Sequence, residues 1–290
     1  MKLASLMHVM VDQFFCKVYN CGYILIRKTF RNYGCNNNMS RAVDHFSSTS
    51  KEYSFSRPIY PDILYKFLNE ITPNKDIAWD CATGNGQAAI GLCKYFKNVI
   101  ASDASNGQLE YQFNRSNIRY EMFPAEKACI QDNSVDLTTV AQAAHWFELD
   151  KFYKEVSRIS KSNGVLAIWS YGMHTIDNNI DKISEKLNVG GDILGRYWPS
   201  ETNYVKDNYK TIPFPFKEIP SPKFEMTVKW NLNELVNYMQ TWSAVKRFSE
   251  EKNFNPLSLV LKDLERLWGK HDKQKIVKWD INIRVGKIQS

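Results

Sequence analysis

The sequence predicts an α/β fold, a mostly parallel sheet with helices on both faces. Three observations predict it. Apolar runs of strand length alternate with segments of helical period along residues 61–170. One run, Val165 to Trp169, is nearly all apolar, as a central strand covered on both faces requires. A turn carrying two glycines, Thr83-Gly84-Asn85-Gly86, directly follows the first strand and opens a helix.

The elements follow in order. Pro61 suits a first helical turn, and Ile63, Leu64, Phe67, Leu68 and Ile71 recur at helical spacing. Ile77-Ala78-Trp79 reads as the first strand. Ala88, Ala89, Leu92, Cys93 and Phe96 form one face of a helix, and Val99-Ile100-Ala101 the second strand. Ile118 to Met122 is the third strand and Val135 to Val140 the fourth. Phe152, Tyr153, Val156 and Ile159 line another helix, and Val165 to Trp169 is the fifth strand. Beyond it the pattern changes. Residues 171–222 hold several aromatics and prolines with one helix near Ile180 to Leu187. Apolar residues alternate with polar ones over Phe224–Trp230 and again over Val277–Val285, predicting two late strands, antiparallel at one edge. Between them Leu235, Val236, Met239, Trp242 and Val245 share a helix. The strands total seven.

The composition is that of a globular chain: 43% hydrophobic and 24% charged residues over 290 positions. The net charge of +7 is unevenly spread. Residues 1–38 contribute +4, from Lys2, Lys17, Arg27, Lys28 and Arg31 against Asp12, leaving +3 for the other 252. Basic residues there alternate with acids, so nucleic acid is not the expected partner. No run of 18 or more apolar residues occurs, so no membrane span is expected. The six cysteines form no CxxC pair and no disulfide framework, so free thiols and a cytoplasmic setting are the expectation. Residues 1–38 read as a poorly ordered extension rather than a targeting segment, and residues 39–290 as the folded domain. Its cofactor half covers about 53–170 and its insertion and substrate cap about 171–290.

The run Asp80-Cys81-Ala82-Thr83-Gly84-Asn85-Gly86-Gln87 carries the chemistry. Its glycines allow a sharp turn and a close ligand approach. Asp103 follows at the end of the second strand, 23 residues after Asp80, where an acid can accept from both hydroxyls of a ribose. The third glycine of the dinucleotide fingerprint G-x-G-x-x-G is missing. An acid beside the turn would repel a pyrophosphate and suits a cation. S-adenosylmethionine, with an ammonium and a sulfonium, therefore fits better than NAD, which stays as the alternative along with a non-catalytic S-adenosylmethionine-binding protein.

This run resembles the first motif of class I S-adenosylmethionine-dependent methyltransferases, D-x-G-x-G-x-G, with Ala82 at the first glycine. The resemblance extends from about Phe46 to the C-terminus and is greatest to the small-molecule group that includes trans-aconitate methyltransferase-like proteins. It implies a Rossmann-like seven-stranded sheet with an antiparallel C-terminal edge strand and an aromatic lid. It implies cofactor contacts at Asp80, Ala82, Thr83, Gly84, Gly86, Asp103, Gln108, Ala125, Glu126 and Gln142. Tyr53, Arg57, Pro58, Tyr60 and Pro61 resemble the Y-x-x-x-R-P-x-Y-P segment before the sheet, which places Tyr53, Arg57 and Tyr60 at the substrate mouth. Gln142, Ala143, His145, Trp146 and Phe147 resemble the Q-A-x-H-W-F run facing the transferred methyl. Trp146 is then a substrate contact and His145 a candidate general base.

The expected acceptor is a small molecule, by resemblance a carboxylic acid, with Arg57 or Arg196 pairing its carboxylate. Tyr171, Tyr197, Trp198 and Tyr204 are candidates for the lid. His45, His174 and His271 lack ligand spacing, so no metal site is expected. A monomer or weak homodimer is the expected assembly.

Overall fold

The computed structural model describes residues 57–188 and 193–289. The expected extension at 1–38 and the candidate contact Tyr53 lie outside the described residues.

The chain enters through helix α1 (Asp62–Ile71), and Pro61, extended at φ −71°, precedes its first turn. Thr72 ends the helix, donating its hydroxyl to the Leu68 carbonyl at 2.6 Å. Then come β1 (Ile77–Cys81), α2 (Gln87–Leu92), β2 (Asn98–Asp103), β3 (Ile118–Met122) and β4 (Val135–Ala141). Next are α3 (Leu149–Ile159), β5 (Ser160–Tyr171), α4 (Asn178–Asn188) and the short α5 (Asn203–Lys206). The chain closes with β6 (Lys217–Glu218), β7 (Phe224–Trp230), α6 (Leu232–Gln240), α7 (Ser243–Lys252), α8 (Leu261–Trp268) and β8 (Lys275–Lys287).

The sheet order is β3-β2-β1-β4-β5-β8-β6, with β7 also on β8. The first five strands are parallel, and β8 runs antiparallel to β5. Both late strands pair as expected, Phe224 opposite Ile281 and Trp230 opposite Lys275. The two-residue β6, beside Lys287 and Gly286, is an eighth piece with no alternation to announce it. This is the Rossmann-like α/β sheet the sequence predicts, with β8 inserted between the parallel strands and the β6–β7 edge.

Alternate side chains feed two cores, one on each face. On one face Ala78, Val99, Leu137, Ala167 and Trp169 meet Leu64 and Leu68 of α1, Ala89 and Leu92 of α2, and α6 to α8. On the other, Trp79, Ile100, Leu166 and Ile168 meet Phe152, Val156 and Ile159 of α3. Each of the larger apolar side chains contributes about 1.5–3 kcal/mol through burial, and β5 is buried throughout from Gly164 to Tyr171.

One expected element divides. The helix drawn from Leu235 through Val245 is two, α6 and α7, broken at Thr241 and Trp242. The Thr241 hydroxyl donates to the Tyr238 carbonyl at 2.7 Å, and Trp242 turns extended at ψ 132°. Such local side-chain bonding competes with helix propagation, which periodicity does not register. The thiol expectation holds for Cys81 and Cys93, which are free, but not for Cys129. Among the described residues no helix is long and apolar enough to cross a membrane.

Candidate active site

The turn after β1 is fixed by its own side chains. Ala82, Gly84 and Gly86 all take left-handed φ values, 53°, 58° and 91°. Gly86 has a second reason to lack a side chain: a Cβ there would overlap the Tyr120 hydroxyl. Thr83 N–H donates to the Ser102 carbonyl at 2.8 Å, tying the turn to β2. Asp80 is fully buried. It accepts the hydroxyl protons of Thr83 at 2.5 Å and Thr139 at 2.8 Å. Burial raises its pKa to about 6, and the two hydroxyl bonds oppose that rise.

Asp103, half-buried at the end of β2, accepts the Gly84 N–H at 3.0 Å and the Ser105 N–H at 2.9 Å. Gln108 is buried, its Oε1 lying 3.5 Å from where a Gly84 Cβ would stand. Ala125 is buried, and Glu126, half-buried, accepts the Glu148 N–H at 3.0 Å, just ahead of α3. Glu126 therefore already serves the start of a helix. Cys81 is buried with its pKa raised by desolvation, an inert thiol rather than a nucleophile.

Beyond β4 the chain makes a second left-handed step at Gln142, φ 57°. Its side-chain amide brackets Tyr171 of β5, donating to the carbonyl at 2.9 Å and accepting the N–H at 3.2 Å. His145 follows, buried, its ring 4.9 Å from that of Trp146. Its Nδ1 lies 2.8 Å from the Tyr209 hydroxyl. Burial lowers its pKa to about 4, against a smaller opposing pull from Glu201.

Gln142, His145 and Trp146 border a cavity of about 360 Å³. Tyr171, Met173, Trp198, Tyr238 and Trp242 supply apolar wall, and Arg57 and Lys206 supply positive charge. No carboxylate is among the described lining residues. Arg57 lies over the Tyr238 ring, 5.2 Å from its centroid, and donates to the Tyr171 hydroxyl at 3.2 Å. The break between α6 and α7 is what brings Thr241 and Trp242 to this wall.

The fold thus gathers the predicted residues into two groups: Asp80, Ala82, Thr83, Gly84, Gly86, Asp103 and Gln108 around the first turn, and Arg57, Gln142, His145 and Trp146 at the cavity. Tyr60 joins neither. Its ring packs edge-on against Trp169 at 5.4 Å and backs the Tyr171 wall. Arg196 points away and pairs with Glu251 at 3.0 Å on the surface. Of the lid aromatics, Tyr171 and Trp198 line the cavity, whereas Tyr197 packs on Phe248 and Tyr204 in the core beside α3. Sequence reasoning missed Tyr209, Tyr238 and Lys206. Tyr238 falls on the helical stripe and could have been read there; the other two carry no local signal. His174 is buried within hydrogen-bond distance of Ser184, 3.0 Å, and packs behind Tyr238 and Trp242 of the cavity wall without lining it.

A glycine turn at the carboxyl end of a parallel strand, with an acid at the end of the next, defines a nucleoside-binding α/β protein. Residues 79–168 match the family model described as a methyltransferase domain. A Dictyostelium discoideum protein named as a methyltransferase is 36% identical over 250 residues, 85% of this chain and 94% of that protein. A Saccharomyces cerevisiae protein named as an S-adenosylmethionine-dependent methyltransferase is 30% identical over 178 residues, 55% of this chain and 59% of that one. Among solved structures, a type II methyltransferase from Anaeromyxobacter dehalogenans superposes with a TM-score of 0.75 at 35% identity, covering 80% of this chain and 98% of that chain. The chain belongs to the class I S-adenosylmethionine-dependent methyltransferases.

The residues at the turn fit that cofactor. The side chains flanking it that carry charge are the carboxylates Asp80 and Asp103, compatible with a cation and a ribose and not with a phosphate. The Gly84 backbone meets nothing nearer than Gln108 Oε1 on its side-chain side. Asn85 Nδ2 is buried without an acceptor among the described residues, a donor left for a ligand.

Proposed function

We propose that this methyltransferase acts on a small acid, held by its carboxylate in the cavity beside His145. The observation that carries the reading is the lining: aromatic walls, two cationic side chains, Arg57 and Lys206, and no carboxylate among the described residues. Such a lining disfavours a cationic amine and favours an anion with an apolar body.

In this reading Asp103 accepts from the ribose hydroxyls and Gly84 and Gly86 give the backbone its close approach. Asp80, held between Thr83 and Thr139, supplies negative charge behind the turn. Ala82, Thr83, Gln108, Ala125 and Glu126 complete the cofactor's surroundings. Gln142 holds β4 and β5 in register where the two sites meet. Bound S-adenosylmethionine supplies a methyl on a cationic sulfur, so transfer to a carboxylate breaks one C–S bond, forms one C–O bond and moves no proton. The protein's work is then alignment and exclusion of water. Arg57 anchors the acid, Trp146 packs on its body and Lys206 adds long-range attraction.

Incubation with radiolabelled S-adenosylmethionine and a panel of small acids, phenols and amines tests this. Acids should be methylated, and Arg57→Ala should raise KM about tenfold to a hundredfold with a smaller change in kcat, the loss of a charge-assisted bond. Transfer to amines alone, or an unchanged KM in Arg57→Ala, would refute the reading.

A further inference from the structure

Among the described residues His145 is the one imidazole on the cavity wall, and its hydrogen bonding decides what it can do there. Its Nδ1 is committed to the Tyr209 hydroxyl. Its Nε2 has no protein partner among the described residues and is not sealed from the cavity.

Tyr209 is fully buried and held in an uncommon place. After α5 the chain takes two consecutive left-handed residues, Asn208 at φ 57° and Tyr209 at φ 59°. A tyrosine adopts such a φ only where its surroundings fix it. Here Tyr209 N–H donates to the Tyr204 carbonyl at 2.7 Å, and the Asn208 side chain accepts from Asn282 of β8 at 2.9 Å. The Tyr209 hydroxyl has one hydrogen-bond partner among the described residues, His145 Nδ1. A fully buried phenol proton needs an acceptor, and Nδ1 is the one within reach among the described residues.

We infer that Tyr209 is a positioning residue: its hydroxyl donates to His145 Nδ1, fixing the tautomer that carries its proton on Nε2. His145 then presents Nε2–H to the acceptor as a hydrogen-bond donor, and the general-base role suggested by the sequence falls away. A ring nitrogen that is already protonated takes no proton, and a neutral donor suits a carboxylate oxygen. The inference rests on the acceptor lying in this cavity. Burial keeps the phenol protonated and the imidazole neutral at physiological pH. Among the described residues Glu201 acts to raise the pKa of the ring, and the cations Arg57 and Lys206 border the same cavity.

The test needs no methyl donor. Histidine 15N–1H correlation spectra of the protein read which nitrogen carries the proton, and benzoate serves as the carboxylate probe. The Nε2–H tautomer should persist from pH 8 to pH 5 and give way to a mixture in Tyr209→Phe, whose ring still fills the site. Benzoate affinity should stay within about threefold in His145→Gln, whose amide N–H stands in for Nε2–H. It should fall about tenfold in His145→Leu and only about twofold in Tyr209→Phe, where the Nε2–H form is a fraction of the mixture. A proton on Nδ1 in the wild type, or equal benzoate affinity in the Gln and Leu variants, would overturn the inference. An Nε2–H tautomer with no benzoate bound to the wild type would instead overturn the acid-acceptor reading.

Discussion

The turn at residues 80–87 and the cavity beside His145 sit at the same end of the same sheet, yet they are built by opposite means. The turn is set by side chains within a few positions of one another and by the strands beside it, through Ser102 of β2, Tyr120 of β3 and Thr139 of β4. The cavity is assembled from Arg57, from 142–146, from 171–173, from Asn188, from Trp198 to Asn208 and from 238–243. A backbone-made site is visible in one short motif, because the motif is the site. A site made of side-chain ends from six segments is visible only once the segments are packed. The two halves should therefore fail differently when altered.

The largest effect is expected at the turn. Gly86→Ala places a methyl on the Tyr120 hydroxyl, at a φ of 91° that alanine rarely adopts. The left-handed backbone alone costs about 1–2 kcal/mol, and the overlap adds to it. S-adenosylmethionine binding by titration calorimetry should be lost, with a lower Tm. Adding Tyr120→Phe removes the overlapping oxygen and should restore part of the Tm. No recovery in the double variant would mean that φ, not the overlap, is decisive. Next comes Asp103→Ala, which should weaken cofactor affinity about a hundredfold with the fold intact, because two charge-assisted bonds to a ligand are each worth about 1.5–3 kcal/mol. An unchanged affinity would remove Asp103 from the ribose. Both variants should leave benzoate binding in the cavity nearly unaltered, which is what separate construction of the two regions requires.

The same contrast explains what could be read from the sequence. The five parallel strands and the two late ones were legible because burial on one or both faces imposes a pattern along the chain. Asp80, Gly84, Gly86 and Asp103 were legible because spacing and position after a strand define them. Arg57, Gln142, His145 and Trp146 were found only through resemblance; nothing in their periodicity marks them. Tyr209 was out of reach, since its meaning comes from a left-handed turn that brings it to a histidine 64 positions away. Arg196 was assigned by residue type and Tyr60 through resemblance, and packing put the first on a surface ion pair and the second behind the wall. Glu126 shows a subtler limit: an acid suited to the adenine is also the group that receives the backbone ahead of α3, and sequence alone does not separate the two duties.

The smallest expected effect tests whether the turn is bought at the expense of stability. Asp80 is fully buried and its pKa is raised to about 6, against an ordinary value of 3.8. The folded chain therefore holds this proton more tightly than the unfolded chain, and stability falls as pH rises between the two values. From pH 4.5 to pH 7.5 the loss from this one group should be about 2 kcal/mol. His145 and His174, whose pKa values burial lowers to about 4, act in the opposite direction, since the fold loses stability as pH falls below their ordinary value of 6.5. Comparison with Asp80→Asn at each pH cancels the histidines and isolates the carboxylate. Asparagine keeps a carbonyl for one of the two hydroxyls and carries no charge to desolvate. Urea titrations should find the variant gaining about 2 kcal/mol relative to the wild type between pH 4.5 and pH 7.5, while its affinity for S-adenosylmethionine falls. A gap between the two proteins that does not change with pH would show that the Asp80 charge is fully compensated by Thr83 and Thr139. The turn would then carry its negative charge at no cost to the fold, and the contrast with the cavity would rest on geometry alone.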